Sequence, residues 1–329
     1  MSVEICSTLG LRHYPDTNPG IRRLRRGRGF SYVAPEGEPI LCQQERARLT
    51  ALGVPPAYSD VWMSPFPDGF ILATGRDAAA RKQYRYHPDW TAYQAAQKFA
   101  RLPQLARGLP RLRRWIGARL AEDRTEEDHA LATALALMDR LSLRVGCPNY
   151  TRDNGSYGAT TLRRAHLITG EGPARLRFRA KGGARVEKPV TGARLLVQLE
   201  RGAAARSGPL VQWRDASGRA RRVTAPKVAA RMSDLVGADV SPKDLRTWNG
   251  THAAFVAAVE GTAPTVKSIT TAAAHRLHNT AAIARKSYVH PDLIDAVKRH
   301  RDIGAPLTPP GPFLRKGEAE LADWLVAAG

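Results

Sequence analysis

The spacing of hydrophobic and polar positions changes along the chain, and this change divides the sequence into two parts. In residues 1–93, short apolar stretches are broken by Pro and Gly, as in "SDVWMSPFPDGFILATGRD", which is typical of strands joined by turns. Only "PILCQQERARLTALGVPPAY" has a helical pattern, which ends at Gly53 before two prolines. This part of the chain is therefore predicted to be β-rich with one helix.

The larger second part has mainly helical spacing. Helices are predicted in "WTAYQAAQKFARL", "LPRLRRWIGARLAED", "TEEDHALATALALMDRLSLR", "VTGARLLVQLER" and "APKVAARMSDLVG", and from Ser241 to the mid-290s. Three short strands are predicted in "HLITG", "ARLRFRA" and "ARVEKPV", and a second hairpin in "PLVQWRDASGRARRVT". Lys181-Gly182-Gly183 is a tight turn signal between the last two of the three strands. The tail has a helical pattern after Gly317 and is expected to be either a regulatory or a packing element.

These patterns predict an α+β fold with two domains. Residues 1–93 form a small β-rich N-terminal domain, and residues 94–329 form a mostly helical domain that contains a small sheet and hairpin. A chain of this length is long enough for both domains to bury a core.

Charge indicates the partner. The 51 Lys and Arg residues exceed the 30 Asp and Glu residues, so the formal net charge is +21 and the pI is about 10.6. Residues 94–329 carry +18 of this charge and residues 1–93 carry +3. A pI this high is typical of proteins that bind a polyanion, most often nucleic acid. The basic run "GIRRLRRGRGF" is predicted to be a solvated arm, or else a contact to the DNA backbone.

The sequence gives little support for a membrane partner or a metal site. An anionic membrane would suit the charge, but we find no long apolar run, signal peptide or lipidation motif. A cytoplasmic, nucleoid-associated protein without a membrane partner is expected. The three cysteines have no CxxC spacing and the nine histidines no HExxH spacing. Neither a zinc site nor a disulfide framework is therefore expected.

A tyrosine in a basic stretch is the first candidate for chemistry. In "HNTAAIARKSYVHPDLIDAVK", Tyr288 directly follows Arg285, Lys286 and Ser287. Its ring could simply pack while the cations face solvent, or its phenol could attack a phosphate. Phosphoryl transfer from a diester needs a nucleophile, cations for the non-bridging oxygens and an acid for the leaving oxygen. A phenol, whose pKa is about 10, ionises more readily than an alkyl alcohol.

Three further cations have a suggestive context. Taken singly, a solvated surface position is favoured for each of the two arginines, and it fits the lysine as well as a catalytic role does. Arg144 comes at the end of an amphipathic helical pattern, just before a turn-rich stretch. Arg246 lies early in a helix that begins with the capping pair Ser241 and Asp244. Lys181, at the hairpin tip, could reach into a groove and protonate a leaving oxygen. Arginine is suited to bind the non-bridging oxygens because its guanidinium is always charged and can donate two parallel hydrogen bonds.

Five sequence blocks in the same order make the chain resemble a known family. "RVGCPNYTRDNGSYGATTL", "KDLRTWNGT" and "NTAAIARKSYVHP", with "PPAYSDVWMSP" and "GRDAAARKQYRYH" before them, closely resemble the type IB DNA topoisomerases of the bacterial and poxvirus branch. The resemblance runs from about Tyr32 to about His300. It implies that Tyr288 attacks the phosphodiester and forms a 3′-phosphotyrosyl link. It also implies that Arg144 and Arg246 hold the non-bridging oxygens and that Lys181 protonates the 5′ oxygen.

The fifth catalytic position of the family departs from its usual residue. It falls on Asn279, nine residues before Tyr288, where many relatives have histidine. The asparagine amide can donate a hydrogen bond to a non-bridging oxygen but cannot become a cation. We therefore expect Asn279 to support catalysis with a flatter pH dependence near neutrality. The nearby His275 and His278 are out of register and are expected to face elsewhere on the helix.

The resemblance also implies DNA contacts. Gln83, Tyr84 and Tyr86 match a Gln-Tyr-x-Tyr set that contacts the duplex in the poxvirus enzymes. Glutamine can pair with an adenine edge in the major groove, and tyrosine hydroxyls often meet phosphates. The structural alternative is an edge strand with half-buried rings. Three more residues match phosphate-side positions of the relatives: Tyr150, Lys243 and Ser287.

The function implied by the resemblance is that of a monomeric DNA swivelase whose two domains clamp duplex DNA. It would relax positive and negative supercoils by cutting one strand, without ATP and without magnesium. A tyrosine recombinase or integrase is the alternative, but those enzymes usually carry His-x-x-Arg where this chain has Lys243-Asp244-Leu245-Arg246. A nucleoid protein that binds DNA by charge alone is a third possibility, and it leaves the order of the five blocks unexplained.

Overall fold

A computed structural model describes residues 2–122, 126–204, 208–304 and 306–328 of the chain. It divides into two compact units, Met1–Gln97 and Lys98–Gly329. The predicted boundary after residue 93 falls inside a helix, Pro88–Ala100. Thr125, where one of the predicted helical patterns begins, lies outside the described residues. The α+β class, with a small N-terminal sheet before a mostly helical part, is confirmed.

The first unit is built on one antiparallel sheet of five strands in the order β2-β1-β3-β4-β5. The strands are β1 (Ile21–Arg26), β2 (Gly29–Val33), β3 (Ser59–Met63), β4 (Ile71–Arg76) and β5 (Lys82–Tyr86). Two helices precede and interrupt them, α1 (Ser2–Thr8) and α2 (Gln43–Ala51). Leu49 of α2 is fully buried in a small core with Ile21, Tyr32 and Met63 of the sheet. Helix α2 was predicted and α1 was not.

The basic run is not a solvated arm, so that prediction was wrong. "IRRLRR" is strand β1, which pairs with β2 on one side and β3 on the other. Gly27 adopts φ +57° and turns the chain between β1 and β2. The Arg23 guanidinium stacks 4.1 Å from the Phe30 ring centroid and donates to the carbonyl of Val54 at 2.7 Å. The backbone pairs with strands on both sides and Ile21 is buried, while three of the four arginines of the strand stay exposed. A contact of this run with the DNA backbone stays a prediction.

The second unit contains most of the helices, and α3 begins before its first residue. Its helices are α3 (Pro88–Ala100), α4 (Leu102–Ala121), α5 (Glu127–Leu141), α6 (Pro148–Asn154), α7 (Ala193–Ala204), α8 (Ala225–Val236), α9 (Pro242–Glu260), α10 (Val266–Leu277), α11 (Ala281–Ser287), α12 (Pro291–Lys298) and α13 (Glu318–Ala328). Its strands are β6 (Leu167–Ile168), β7 (Arg175–Arg179), β8 (Arg185–Pro189), β9 (Gln212–Arg214) and β10 (Ala220–Arg222). The sheet β6-β7-β8 and the hairpin β9-β10 are antiparallel, as predicted.

Helix α5 is the centre of this unit. Twelve of its residues are buried, so it is enclosed on all sides rather than amphipathic as predicted. It ends at Leu141, because Ser142 adopts a left-handed conformation with φ 55°. Arg144 therefore lies in the loop beyond the helix and not at its last turn. Among the described residues, no helix is both long enough and apolar enough to cross a membrane.

The C-terminal segment packs on the body of the second unit. Glu318, at the start of α13, is 1% exposed and accepts hydrogen bonds from Arg113 on α4 (2.5 Å) and Trp248 on α9 (2.9 Å). Arg113 also pairs with the buried Asp139 of α5 at 2.9 Å, and Arg315 pairs with the same carboxylate. The tail is thus a packing element that ties α4, α5 and α9 together.

Candidate active site

Tyr288 follows the last residue of α11 and is held through its backbone. Its N–H donates to the carbonyl of Ala284 at 2.8 Å, and its own carbonyl accepts from Thr251 Oγ1 on α9 at 2.9 Å. Gly250 on α9 lets this backbone approach closely. A Cβ built at Gly250 would lie 2.8 Å from Tyr288 Cβ and 2.9 Å from its carbonyl oxygen. Helix α9 therefore sets the position of Tyr288.

Arg246 comes from the same helix and reaches the same tyrosine. The predicted capping pair is present, with Ser241 N and Oγ both 2.8 Å from Asp244 Oδ2, so α9 begins where it must to direct Arg246 inward. Arg246 is 4% exposed and donates to the carbonyls of Ser142 and, at 3.1 Å, Leu277. Its Cζ lies 5.3 Å from the Tyr288 ring centroid. The guanidinium is thus anchored beside the phenol.

Arg144 and Asn279 meet across a gap of 135 residues in sequence. Arg144 Nη2 donates to Asn279 Oδ1 at 3.4 Å. The backbone of Arg144 is fixed by the turn-rich stretch, because Ala159 N donates to its carbonyl at 2.8 Å. A Cβ at Gly158 would lie 2.5 Å from that carbonyl oxygen, so the glycine is needed for this approach. The predicted residues Arg144, Arg246, Asn279 and Tyr288 are thereby brought into one site.

Two buried donors in this site have no hydrogen-bond partner among the described residues. They are Nε of Arg246 and Nδ2 of Asn279. A buried donor without a partner is costly, typically by about 1–3 kcal/mol. Such donors are suited to an anionic oxygen that approaches the phenol of Tyr288.

The charges of the site act on its acid–base groups. Burial acts to raise the pKa of Tyr288, but the positive charges of Arg246 and then Arg144 outweigh it and the net shift is downward. Burial, followed by repulsion from Arg144, lowers the pKa of Arg246 to about 10. At neutral pH the arginine therefore stays charged and the phenol ionises more readily than a free tyrosine.

Lys181 occupies the predicted hairpin tip between β7 and β8. The turn uses Gly182 and Gly183 at φ 81° and 79°, and the lysine side chain is exposed. In the described part of the chain no hydrogen bond or ion pair joins Lys181 to the four clustered groups. The role of Lys181 as the acid therefore stays a prediction.

Lys188 and His278 were not predicted in the site, and for His278 the prediction was wrong. Both line a small cavity of about 20 Å³ with Arg144 and Arg246. His278 faces inward because it ends α10 in a left-handed conformation with φ 49°. Burial, then Lys188, lowers its pKa to about 4, so it is neutral at pH 7. His275 is exposed.

The buried position of Lys188 could have been predicted from the sequence. It follows Val186 by two positions on β8, and both face inward in the strand's alternating pattern. The side chain is 8% exposed and donates to the carbonyl of Arg276 at 2.7 Å. Burial, then Arg276 and Arg246, lowers its pKa to about 7. A lysine on the inward face of a predicted strand therefore marks a buried amine.

The candidate DNA contacts lie partly on the first unit. Gln83, Tyr84 and Tyr86 belong to β5, which is an edge strand of the sheet. The two rings stack with centroids 5.6 Å apart and are 43% and 41% exposed. Gln83 donates to Asp77 Oδ2 at 3.0 Å. The structure thus agrees with an edge strand that carries half-buried rings, and the contacts of these residues with DNA stay predictions.

The remaining candidates belong to the second unit. Tyr150 on α6 is 52% exposed, and Lys243 is exposed in the first turn of α9. Ser287 precedes Tyr288, and its carbonyl accepts from Lys98 Nζ, which no prediction included. In the described residues no group of three His, Cys, Asp or Glu side chains is arranged to hold a metal ion.

Comparisons with known proteins agree over most of the chain. A family model described as "Bacterial DNA topoisomerase IB, N-terminal domain" matches residues 29–77. One described as "Eukaryotic DNA topoisomerase I, catalytic core" matches residues 87–285 and stops short of Tyr288. The DNA topoisomerase 1B of Acanthamoeba polyphaga mimivirus is 27% identical over 292 residues, which cover 82% of this chain and 85% of the relative.

Proposed function

The chain belongs to the type IB DNA topoisomerase family and is an isomerase that acts on DNA, and from this premise we propose that it relaxes positive and negative supercoils without ATP. The substrate is duplex DNA, of which one strand is cut and resealed. The excess of cations in residues 94–329 supports binding to the DNA backbone. The same charge supports a nucleoid-associated, cytoplasmic location.

The proposed reaction is a reversible transesterification. The Tyr288 phenolate attacks the phosphorus, the bond from phosphorus to the 5′ oxygen breaks, and the 3′ end is joined to the tyrosine. Lys181 gives a proton to the departing 5′ oxygen. The free 5′ end rotates, and its hydroxyl attacks the phosphotyrosine to restore the strand. Because each ester bond is exchanged for another, no ATP is consumed.

One observation carries this proposal: the Arg246 guanidinium lies 5.3 Å from the Tyr288 ring centroid, with Nε free to donate. Asn279 offers a second free donor through Nδ2, and Arg144 lies beside it. These groups suit the two non-bridging oxygens of a phosphodiester, whose negative charge they would stabilise. Since fixed cations supply this role, we propose that magnesium is not required.

The DNA contacts follow from the same proposal. Gln83, Tyr84 and Tyr86 contact the duplex from the first unit, in its major groove and on its phosphates. Three residues of the second unit contact phosphates: Tyr150, Lys243 and Ser287. We also propose that the chain acts as a monomer that clamps one duplex.

The test is relaxation of negatively and positively supercoiled plasmid in EDTA without ATP, comparing wild type with Tyr288→Phe. Wild type should relax both substrates and form a covalent complex with the 3′ end, and the variant should do neither. Equal relaxation by the variant would show that Tyr288 is not the nucleophile. DNA binding without relaxation by either protein would favour a recombinase or a DNA-binding protein.

A further inference from the structure

Lys98, near the end of α3, lies against the segment that carries Tyr288. Its Nζ donates to the carbonyl oxygen of Ser287, 189 residues away in sequence. The same atom lies 5.2 Å from the Tyr288 ring centroid and 4.5 Å from that of Phe99. The side chain is partly buried, so these contacts are made at the site and not in open solvent.

The carbonyl that Lys98 binds is one that α11 leaves open. The last four carbonyls of a helix have no partner within it, and α11 ends at Ser287. The next carbonyl, that of Tyr288, accepts from Thr251 at 2.9 Å. The two peptide groups that flank the Tyr288 Cα are therefore held by side chains from α3 and α9. Holding both planes restricts the direction in which the phenol points.

The charge of Lys98 adds to this effect. A cation within about 6 Å of an aromatic centroid is attracted to the ring, and the attraction grows when the phenol ionises and the ring becomes electron-rich. Burial, then repulsion from Lys243, lowers the pKa of Lys98 to about 8, while Asp244 acts in the opposite direction. The amine is thus still mainly protonated at pH 7 and able to donate.

We propose that Lys98 is a positioning residue for the nucleophile: it holds the Ser287 carbonyl and keeps a positive charge beside the Tyr288 ring. The inference rests on the proposed role of Tyr288 as nucleophile. Lys98 acts through the tyrosine segment and does not need to touch the DNA.

The test uses Lys98→Met, which removes the charge and the donor, and Lys98→Arg, which keeps both. Lys227→Met is the matched control, because Lys227 is an exposed lysine on α8 that pairs with Glu127. Single-turnover cleavage of a DNA duplex that releases a short 5′ fragment is measured at saturating enzyme. Equilibrium binding is measured by anisotropy with each change placed on the Tyr288→Phe background, where no cleavage interferes.

We expect Lys98→Met to cleave about 10²-fold more slowly, as for a nucleophile displaced by a fraction of an ångström. Its Kd for DNA should stay within about threefold of the parent, which is under 1 kcal/mol. Lys98→Arg should recover to within about tenfold of wild type, and Lys227→Met should match wild type. If the Tm of Lys98→Met is well below that of wild type, the cleavage rate and the Kd for DNA are measured for Lys98→Gln instead.

Three results would overturn the inference: cleavage by Lys98→Met at the wild-type rate, a loss confined to DNA binding, or a rate for Lys98→Arg as low as that of Lys98→Met. Failure of the proposed function looks different. In that case wild type does not cleave, or Tyr288→Phe still does.

Discussion

Gly250→Ala is the substitution that most directly tests how α9 positions the nucleophile. The added methyl group would lie 2.8 Å from Tyr288 Cβ and 2.9 Å from both the Tyr288 carbonyl oxygen and Leu277 Cδ1. Ordinary contacts begin near 3.4 Å. Two of the three crowded atoms belong to or adjoin the backbone, so the tyrosine segment itself must move and not merely a flexible side chain.

The expected size of the effect follows from these distances. Relief of the crowding moves Tyr288 by roughly 0.5–1 Å, and a misplacement of that size can cost about 10²-fold in rate. Overpacking costs about 1–3 kcal/mol, which is partly offset by roughly 1 kcal/mol of helix propensity gained over glycine. The variant should therefore remain folded, with a Tm lower by a few degrees at most.

Gly117→Ala on α4 is the matched control. It is the same change inside a helix, but a Cβ at Gly117 meets nothing within 4 Å. It should gain up to about 1 kcal/mol of stability and cleave at the wild-type rate. Single-turnover cleavage, religation of an isolated covalent complex, and thermal unfolding are measured for both variants. Wild-type cleavage and an unchanged Tm for Gly250→Ala would refute the argument that α9 sets the position of Tyr288.

Three further predictions concern charge. The cleavage rate should rise with pH until the Tyr288 phenol is ionised. Among the neighbouring charges, that of Arg246 lowers the Tyr288 pKa most. Arg246→Gln should therefore shift the rising part of the single-turnover pH–rate profile to higher pH, and a profile at the wild-type position would contradict this prediction. Burial acts to raise the pKa of Asp139, but its arginine partners lower it to about 2 from 3.8. Because the pKa of Asp139 is lower in the folded state than in the unfolded state, its ionisation adds about 2 kcal/mol to the free energy of unfolding. This stabilisation is present above pH 4 and is lost as the pH falls through 2. In urea unfolding, the difference in the free energy of unfolding between wild type and Asp139→Asn should therefore shrink between pH 4 and pH 2. A difference that stays constant would show that the ionisation of Asp139 is not the source of the stabilisation. Asn279→Ala should slow cleavage by about 10²-fold through the loss of one oxyanion donor. Asn279→His should keep activity but introduce a pH dependence below the ordinary histidine value of about 6.5, because burial and the neighbouring Arg144 disfavour the imidazolium; equal pH profiles for wild type and Asn279→His would contradict the role of this side chain.

Features that depend on a few neighbouring residues were predictable from the sequence. The turn at Gly182 and Gly183 has the positive φ angles that such a glycine pair allows. The capping pair Ser241 and Asp244 starts α9 where expected, and this alone sets Arg246 early in the helix. In each case the hydrogen bonds or dihedral angles that decide the structure lie within three or four residues of each other.

Features that depend on distant partners were missed. "IRRLRR" has the composition of a solvated arm, yet pairing with β3 and burial of Ile21 make it a strand. His278 turns inward because α10 ends in a left-handed residue beside a cavity that β8 and α9 also line.

The chain's residue types, charge and local turns thus determined the kind of chemistry and most of the elements. The tertiary structure alone decided which groups meet. Lys98 reaches Ser287 across 189 residues, and Arg144 reaches Asn279 across 135. No local pattern encodes such contacts, because they arise only when helices that are distant in the sequence pack together, as α10 does on α9 and α9 on α5. Gly250 shows the same limit: its lack of a side chain matters only because the backbone of Tyr288 lies against it.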